Sequence, residues 1–267
     1  MNIYDLLFKD PTIIWKKTNN DLETHVDRRM NVWGSGGAHT LYFKKIDEII
    51  INLFNKQLED QPIGIADMGC GDGTLLKHLY SVIKNNTIRG KHLNTYPLKI
   101  IGADYNKAAR IASNITLKEA GIDHYILDGD ISNPKKYAKR VLEKFKADLR
   151  QMLNVRSFLD HNRIYSPPKN DYTNRVCNST GAFAYRGRWI PNFELKQNLV
   201  EHFAAWKNYI GKFGLLILEL HTIDPNLTAK NLGHTVATAY DGTHGYSDQY
   251  IFEIDTMLSA AKEAGLI

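Results

Sequence analysis

Only two cysteines, Cys70 and Cys177, occur among the 267 residues. That scarcity excludes a disulfide scaffold and a cysteine-based zinc site. Long apolar runs are also missing: the longest, such as Phe213 to Leu218, fall far short of a bilayer crossing. The first twenty residues mix Asp5, Lys9, Asp10, Lys16 and Lys17 with apolar residues, which is not a signal-peptide pattern. No internal repeat or low-complexity tract is present, so collagen-like, coiled-coil and disordered classes fall away. These absences predict a cytoplasmic protein with no membrane partner.

What remains is an ordinary globular composition, 43% hydrophobic and 24% charged, long enough for one large domain or a domain with an added subdomain. The net charge is +5, too mild to define a nucleic-acid binder. Much of the excess is local, in Lys135, Lys136, Lys139, Arg140, Lys144, Lys146 and Arg150, with Ala138, Val141, Leu142, Phe145 and Leu149 at helical spacing between them. Such a stretch is a solvated amphipathic face or a docking face for an acidic protein.

The middle of the chain alternates β-rich and helical patterns. Strands are expected at Gly64 to Met68, Leu98 to Asp104, His124 to Leu127, Leu153 to Leu159 and Phe213 to Leu220. Helices are expected near Thr74 to Lys84, Lys107 to Ala120, Pro134 to Met152 and Phe193 to Ile210. That alternation predicts an α/β fold, a doubly wound and mostly parallel sheet. Residues 1–60 look helical, with Trp15, Trp33, Tyr42 and Phe43 as core candidates, and predict an N-terminal lid subdomain ahead of a core at 61–267. Two long connections, 160–192 and 222–247, break the rhythm; long connections are usually functional, and ligands bind such sheets outside the carboxyl ends of the strands.

The strongest local signal is Asp67-Met68-Gly69-Cys70-Gly71-Asp72-Gly73-Thr74, a glycine turn between the first strand and the first core helix. Glycines let the chain turn sharply and bring backbone N–H groups close to a ligand. A second strand end, Gly102-Ala103-Asp104-Tyr105, offers a carboxylate suited to a ribose diol. A third element, Leu127-Asp128-Gly129-Asp130-Ile131, offers one suited to an adenine amino group, although Asp130 before Pro134 also fits a helix N-cap.

In this order and spacing the Asp67 to Gly73 motif, Asp104 and Asp130 resemble class I S-adenosylmethionine-dependent methyltransferases. The resemblance implies S-adenosylmethionine as cofactor, with Asp67, Gly69, Gly71 and Gly73 forming the turn against its methionine part, Asp104 on the ribose, and Asp130 with Ile131 at the adenine. The Asn-Pro-Pro-aromatic run of amide and exocyclic-amine methylation is missing. The runs Asn31 to His39, Val155 to Arg163, Leu218 to Thr222 and His244 to Tyr250 resemble instead the carbon-methyltransferase domains of bacterial polyketide synthases. The likeness is to the starter-unit type of cyanobacterial loading modules, as in apratoxin synthase, and also to the smaller 2-ketoarginine methyltransferases. It implies methylation of the alpha carbon of a malonyl- or methylmalonyl-type acyl group on the phosphopantetheine arm of an acyl carrier protein, among neighbouring synthase domains. A 2-keto acid methyltransferase and an inactive carrier-protein adaptor are the alternatives.

Carbon methylation needs a base and a group that holds the enolate oxygen. His161 follows the fourth strand and His221 ends the fifth, so both are candidate catalytic residues. With Gln249, expected in the first turn of a helix running Gln249 to Ala264, they also form a candidate set for a divalent metal such as iron or manganese. One histidine acting as base without a metal, and histidines that only satisfy buried carbonyls, are the competing possibilities; His244 is an alternative ligand. His25, His78, His92, His124 and His202 read as structural. Arg163, Arg175, Arg186 and Arg188 are candidates for an acceptor carboxylate; their aromatic neighbours could stack on nucleic-acid bases, but no basic stripe supports that. The turn Trp33 to His39 is a candidate cofactor lid or a simple glycine-rich turn. Only Gly265-Leu266-Ile267 follows the last helix, so the terminal hairpin of this fold is expected to be missing and the chain to be part of a larger synthase.

Overall fold

A computed structural model describes residues 5–16, 41–234 and 248–267. The turn at Trp33 to His39, His25 and His244 lie outside the described residues. The chain forms two compact units. One holds Arg28–Ser157 and Asn208–Leu218; the other holds Met1–Asp27, Phe158–Lys207 and Glu219–Ile267.

The first unit is built on a five-stranded parallel sheet: β1 (Gly64–Met68), β2 (Lys99–Asp104), β3 (Tyr125–Asp128), β4 (Leu153–Ser157) and β7 (Leu215–Leu218). Its order is β3-β2-β1-β4-β7, with every neighbouring pair parallel. β1 is buried along its whole length, as expected of the central strand of a sheet covered on both faces. The order of the chain reverses between β1 and β4, the position where open α/β sheets bind ligands.

The longer helices described in this unit are α1 (Asp47–Phe54), α2 (Thr74–Asn86), α3 (Lys107–Glu119) and α4 (Pro134–Phe145). In α2 the buried side chains are Leu75, Leu76, Leu79, Val82 and Ile83, one stripe at helical spacing. Asn106 caps α3 by accepting from the Ala108 N–H, and Asn133 caps α4 by accepting from the Lys136 N–H with Pro134 in the first turn. Asp130 is therefore not the α4 cap. α4 buries only Pro134, Tyr137 and Val141 and leaves its lysines outward. It also ends sooner than the periodicity of residues 134–152 suggests, because Lys146 takes a left-handed conformation and its N–H bonds to the Leu142 carbonyl.

The second unit contains a short antiparallel hairpin, β5 (Phe183–Tyr185) and β6 (Arg188–Ile190), inside the connection expected to be irregular. It continues with α5 (Asn192–Lys207), α6 (Pro225–Lys230) and α7 (Ile254–Glu263). Leu195, Leu199, Phe203 and Trp206 are buried on α5, and so are Glu194, Lys196, Gln197 and Asn198. Burying charge requires partners: Lys196 pairs with Glu263 of α7 at 2.8 Å, and Glu194 accepts from the Tyr165 and Tyr172 hydroxyls. α7 starts five residues later than expected, after the buried non-helical run Tyr250-Ile251-Phe252, so Gln249 is not helical. Leu266 does not begin a strand; its N–H bonds to the Ala261 carbonyl and closes α7 behind Gly265 (φ 75°). Of the aromatic core candidates Phe43 is buried, whereas Tyr42 is 53% exposed and Trp15 half-buried. Among the described residues no helix is long and apolar enough to cross a membrane.

Gly73 shows how tightly the first turn is specified. Its φ is +82°, and an added Cβ would lie 3.1 Å from the Ser113 Cα of α3. Gly73→Ala should cost about 1–2 kcal/mol from backbone strain alone, read as a lower denaturation midpoint; an unchanged midpoint would contradict this account of the turn.

Candidate active site

Two clusters concentrate functional side chains, one in each unit. The first is the glycine turn after β1. Gly69, Gly71 and Gly73 all take positive φ, 83°, 54° and 82°, the conformation that side-chain-bearing residues avoid. The Gly69 and Cys70 N–H groups bond to the Ala103 carbonyl at 2.7 and 3.0 Å, which fastens the turn to the end of β2. The Ser113 hydroxyl donates to the Gly71 carbonyl at 2.9 Å. An added Cβ on Gly71 would meet nothing within 4 Å, so this part of the turn faces open space.

Asp104 closes the arrangement from β2. Its carboxylate accepts from the Gly71 N–H at 3.1 Å and from the Asn106 N–H at 2.7 Å. Asp104 is thus tied to the glycine turn. Asp130 is held differently: one carboxylate oxygen accepts from the Ser132 N–H at 2.9 Å and from its hydroxyl at 2.6 Å. Ile131 beside it is buried.

Asp67 is the unusual member. It is fully buried at the end of β1, and neither carboxylate oxygen has a hydrogen-bond partner. Burial, with a smaller contribution from the Asp104 charge, pushes its pKa up to about 8. A buried carboxylate without partners, beside a turn that faces open space, is what a cationic ligand group would satisfy. The donor set therefore fits S-adenosylmethionine, whose methionine part carries an ammonium.

The second cluster surrounds His161, in a short 3₁₀ turn at Asp160–Asn162. His161 is 3% exposed, and its Nδ1 lies 2.6 Å from Glu219 Oε1. Three groups fix that carboxylate: the His161 ring, the His161 backbone N–H at 3.1 Å and the Leu220 N–H at 2.8 Å. An ionised carboxylate only accepts, so Nδ1 carries the proton and the lone pair is on Nε2. The Asn162 amide nitrogen sits 2.8 Å from Nε2, and Gln249 Nε2 donates to Asn162 Oδ1 at 2.9 Å. Next to this dyad His202 pairs with Asp160 at 2.9 Å, both buried, and the Tyr250 N–H donates to the His161 carbonyl. Arg163 donates to Asn198 at 2.7 Å and to the Asp160 carbonyl at 2.9 Å; burial draws its pKa down to about 10.

Of the residues singled out from the sequence, His161 and Gln249 are thus linked through Asn162. His221 has its Nδ1 3.2 Å from the Phe252 carbonyl. Among the described residues no group of three or more His, Cys, Asp or Glu side chains is arranged to hold a metal. With Nδ1 committed to Glu219, Nε2 is the one His161 ring nitrogen with a lone pair, and the Asn162 amide occupies it. Glu219, two residues before His221 in the run Leu218-Glu219-Leu220-His221, is the member of this cluster the sequence did not single out; an acidic side chain at a strand end was the available signal.

Sheet order, glycine turn and Asp104 define the class: the fold is that of a class I S-adenosylmethionine-dependent methyltransferase. A family model described as the AprA MT2-like domain matches residues 23–267, and the chain belongs to that family. Among solved structures it is similar to an O-methyltransferase family protein from Burkholderia thailandensis, with 12% identity, 88% of this chain and 54% of that one covered, and a TM-score of 0.47. It is also similar to the plantazolicin methyltransferase BpumL, solved with SAH, with 13% identity, 86% and 66% covered, and a TM-score of 0.43. The chain spans about half to two thirds of the length of these structures. No match was found among curated proteins.

The state of Asp67 gives a test. Unfolded, it releases its proton near pH 4; folded, it keeps it to about pH 8. The cofactor-free protein binds more protons folded than unfolded across that window, so its stability should fall as pH rises and level off above about 8. Asp67→Asn should flatten this dependence in thermal melts, and an unaltered slope would contradict the assignment.

Proposed function

We propose that the protein is a carbon methyltransferase in which His161, oriented by Glu219, removes a proton from the carbon that receives the methyl group of S-adenosylmethionine. The observation that carries it is the buried 2.6 Å contact between His161 Nδ1 and Glu219. A carbon beside a carbonyl is a poor nucleophile until it loses a proton. Glu219 holds the imidazole in the tautomer that leaves Nε2 basic, and its charge stabilises the imidazolium formed when the proton arrives. Asn162 occupies Nε2 in this arrangement but is itself exposed, so an acceptor can displace its amide.

Asp67, Gly69, Gly71 and Gly73 would hold the methionine part of the cofactor, Asp104 the ribose, and Asp130 with Ile131 the adenine. An ionised carboxylate can accept more than one bond per oxygen, so Asp104 can add ribose hydroxyls to its backbone bonds. When bound, the cofactor supplies an electrophilic methyl group on a sulfonium. The remaining work falls to the chain: His161 takes the proton and releases it to solvent, and Glu219 keeps the ring oriented. The sequence resemblance to synthase carbon-methyltransferase domains points to an acyl acceptor of the malonyl or methylmalonyl type carried on an acyl carrier protein. A free 2-keto acid would use the same base.

The test is methyl transfer to malonyl- and methylmalonyl-loaded carrier protein, followed by mass spectrometry for the gain of one methylene. His161→Ala should lower the rate by about 10²–10⁴-fold and Glu219→Gln by a large part of that, with cofactor affinity retained. Excess chelator should leave the rate intact. Full activity of His161→Ala would remove the base, and loss of activity on chelation would return the metal. Asp104→Ala should weaken S-adenosylmethionine binding by about 2 kcal/mol or more in calorimetry; equal affinity would take Asp104 out of the site.

A further inference from the structure

Four arginines, Arg163, Arg175, Arg186 and Arg188, lie between β4 and α5, and the structure separates them. Arg175 pairs with Glu263, and Arg186 with Asp248 at 3.3 Å. Arg188 is exposed. Arg163 alone is buried, 3% exposed, and its own bonds go to an amide oxygen and a carbonyl rather than to a carboxylate. The carboxylates that act on it electrostatically, Asp160 and Glu219, are turned to His202 and His161. Its Nη2 has no hydrogen-bond partner. Neither has the hydroxyl of Tyr250, a 2% exposed ring over which the Arg163 guanidinium sits at 5.4 Å. Two buried donors without partners, on stacked side chains, are costly unless a ligand completes them. A guanidinium and a phenol are both donors to an anionic oxygen. The backbone ties this pair to the base: Arg163 is two residues from His161, and the Tyr250 N–H bonds to the His161 carbonyl at 2.8 Å.

We propose that Arg163 and Tyr250 form the carboxylate subsite for the acceptor, so that the protein selects acceptors bearing a carboxylate close to the carbon that His161 deprotonates. This rests on the proposed function and narrows its substrate class. A malonyl thioester and a free 2-oxo acid both present that chemistry; a simple acyl thioester does not.

The experiment is binding without turnover, by calorimetry on the full chain saturated with S-adenosylhomocysteine, using malonyl-N-acetylcysteamine, 2-oxobutyrate and butyryl-N-acetylcysteamine as probes. At least one anionic probe should bind about tenfold or more tighter than the neutral butyryl probe, and which one does so identifies the source of the carboxylate. Arg163→Gln should erase that preference, Arg163→Lys should restore part of it, and Tyr250→Phe, which removes one oxygen only, should reduce it severalfold. Equal affinity of wild type for all three probes overturns the subsite, whatever the variants do. A preference that survives in folded Arg163→Gln, or in Tyr250→Phe if the arginine variants do not fold, overturns it as well. Because no methyl is transferred, a protein that binds the anionic probe through Arg163 yet never methylates keeps the subsite while losing the proposed reaction. One that methylates neutral acceptors without Arg163 does the reverse.

Discussion

The contact between His161 and Glu219 governs how the second unit is arranged. A carboxylate at 4% side-chain exposure is tolerable only if donors surround it. Glu219 has three, two of them from His161 itself. Satisfying that charge fixes the backbone of the turn at Asp160–Asn162 as well as the ring, because the His161 N–H is one of the donors. The turn is then held from the other side, where Asp160 pairs with His202 of α5 and its carbonyl accepts from Arg163. The imidazole is left with one orientation and one tautomer, as a general base requires.

The sheet unit solves the opposite problem. Its glycine turn is over-determined by N–H bonds to the Ala103 carbonyl and the Asp104 carboxylate, yet the carboxyl of Asp67 is left without a hydrogen-bond partner. Burial makes that carboxyl prefer its neutral form. A fold that leaves one buried acid unsatisfied in an otherwise bonded turn stores a binding preference for a cation there. Asp67, the glycine turn and Asp104 belong to the sheet unit, and His161, Glu219, Arg163 and Tyr250 belong to the other.

Much of this was legible in the sequence. The apolar periods located all five parallel strands and most core helices to within a few residues, and the glycines of the turn require their positive φ in any chain. What was hidden depends on where elements stop. β4 ends at Ser157 rather than Leu159 because Phe158 takes a left-handed φ of 53°, a conformation no propensity assigns to phenylalanine. β7 ends at Leu218, two residues before the apolar pattern does, so Glu219 rather than His221 is the first residue past the strand. Lys146 stops α4 from the same left-handed region without the glycine that would have marked it. Tyr250-Ile251-Phe252 reads equally well as helix or irregular chain; all three are buried ahead of α7, which leaves Gln249 outside it. Each miss is a tertiary override of a local signal at a terminus.

In the proposed reaction His161 removes a proton from carbon under the control of Glu219. Exchange of acceptor hydrogen for deuterium isolates that step. With S-adenosylhomocysteine in place of the methyl donor, methylmalonyl-N-acetylcysteamine in deuterium oxide should lose its alpha hydrogen faster with the protein than without it. That acceleration should vanish in His161→Ala and fall sharply in Glu219→Gln. Exchange no faster than the uncatalysed reaction, or equally fast in both variants, would contradict the assignment of the base.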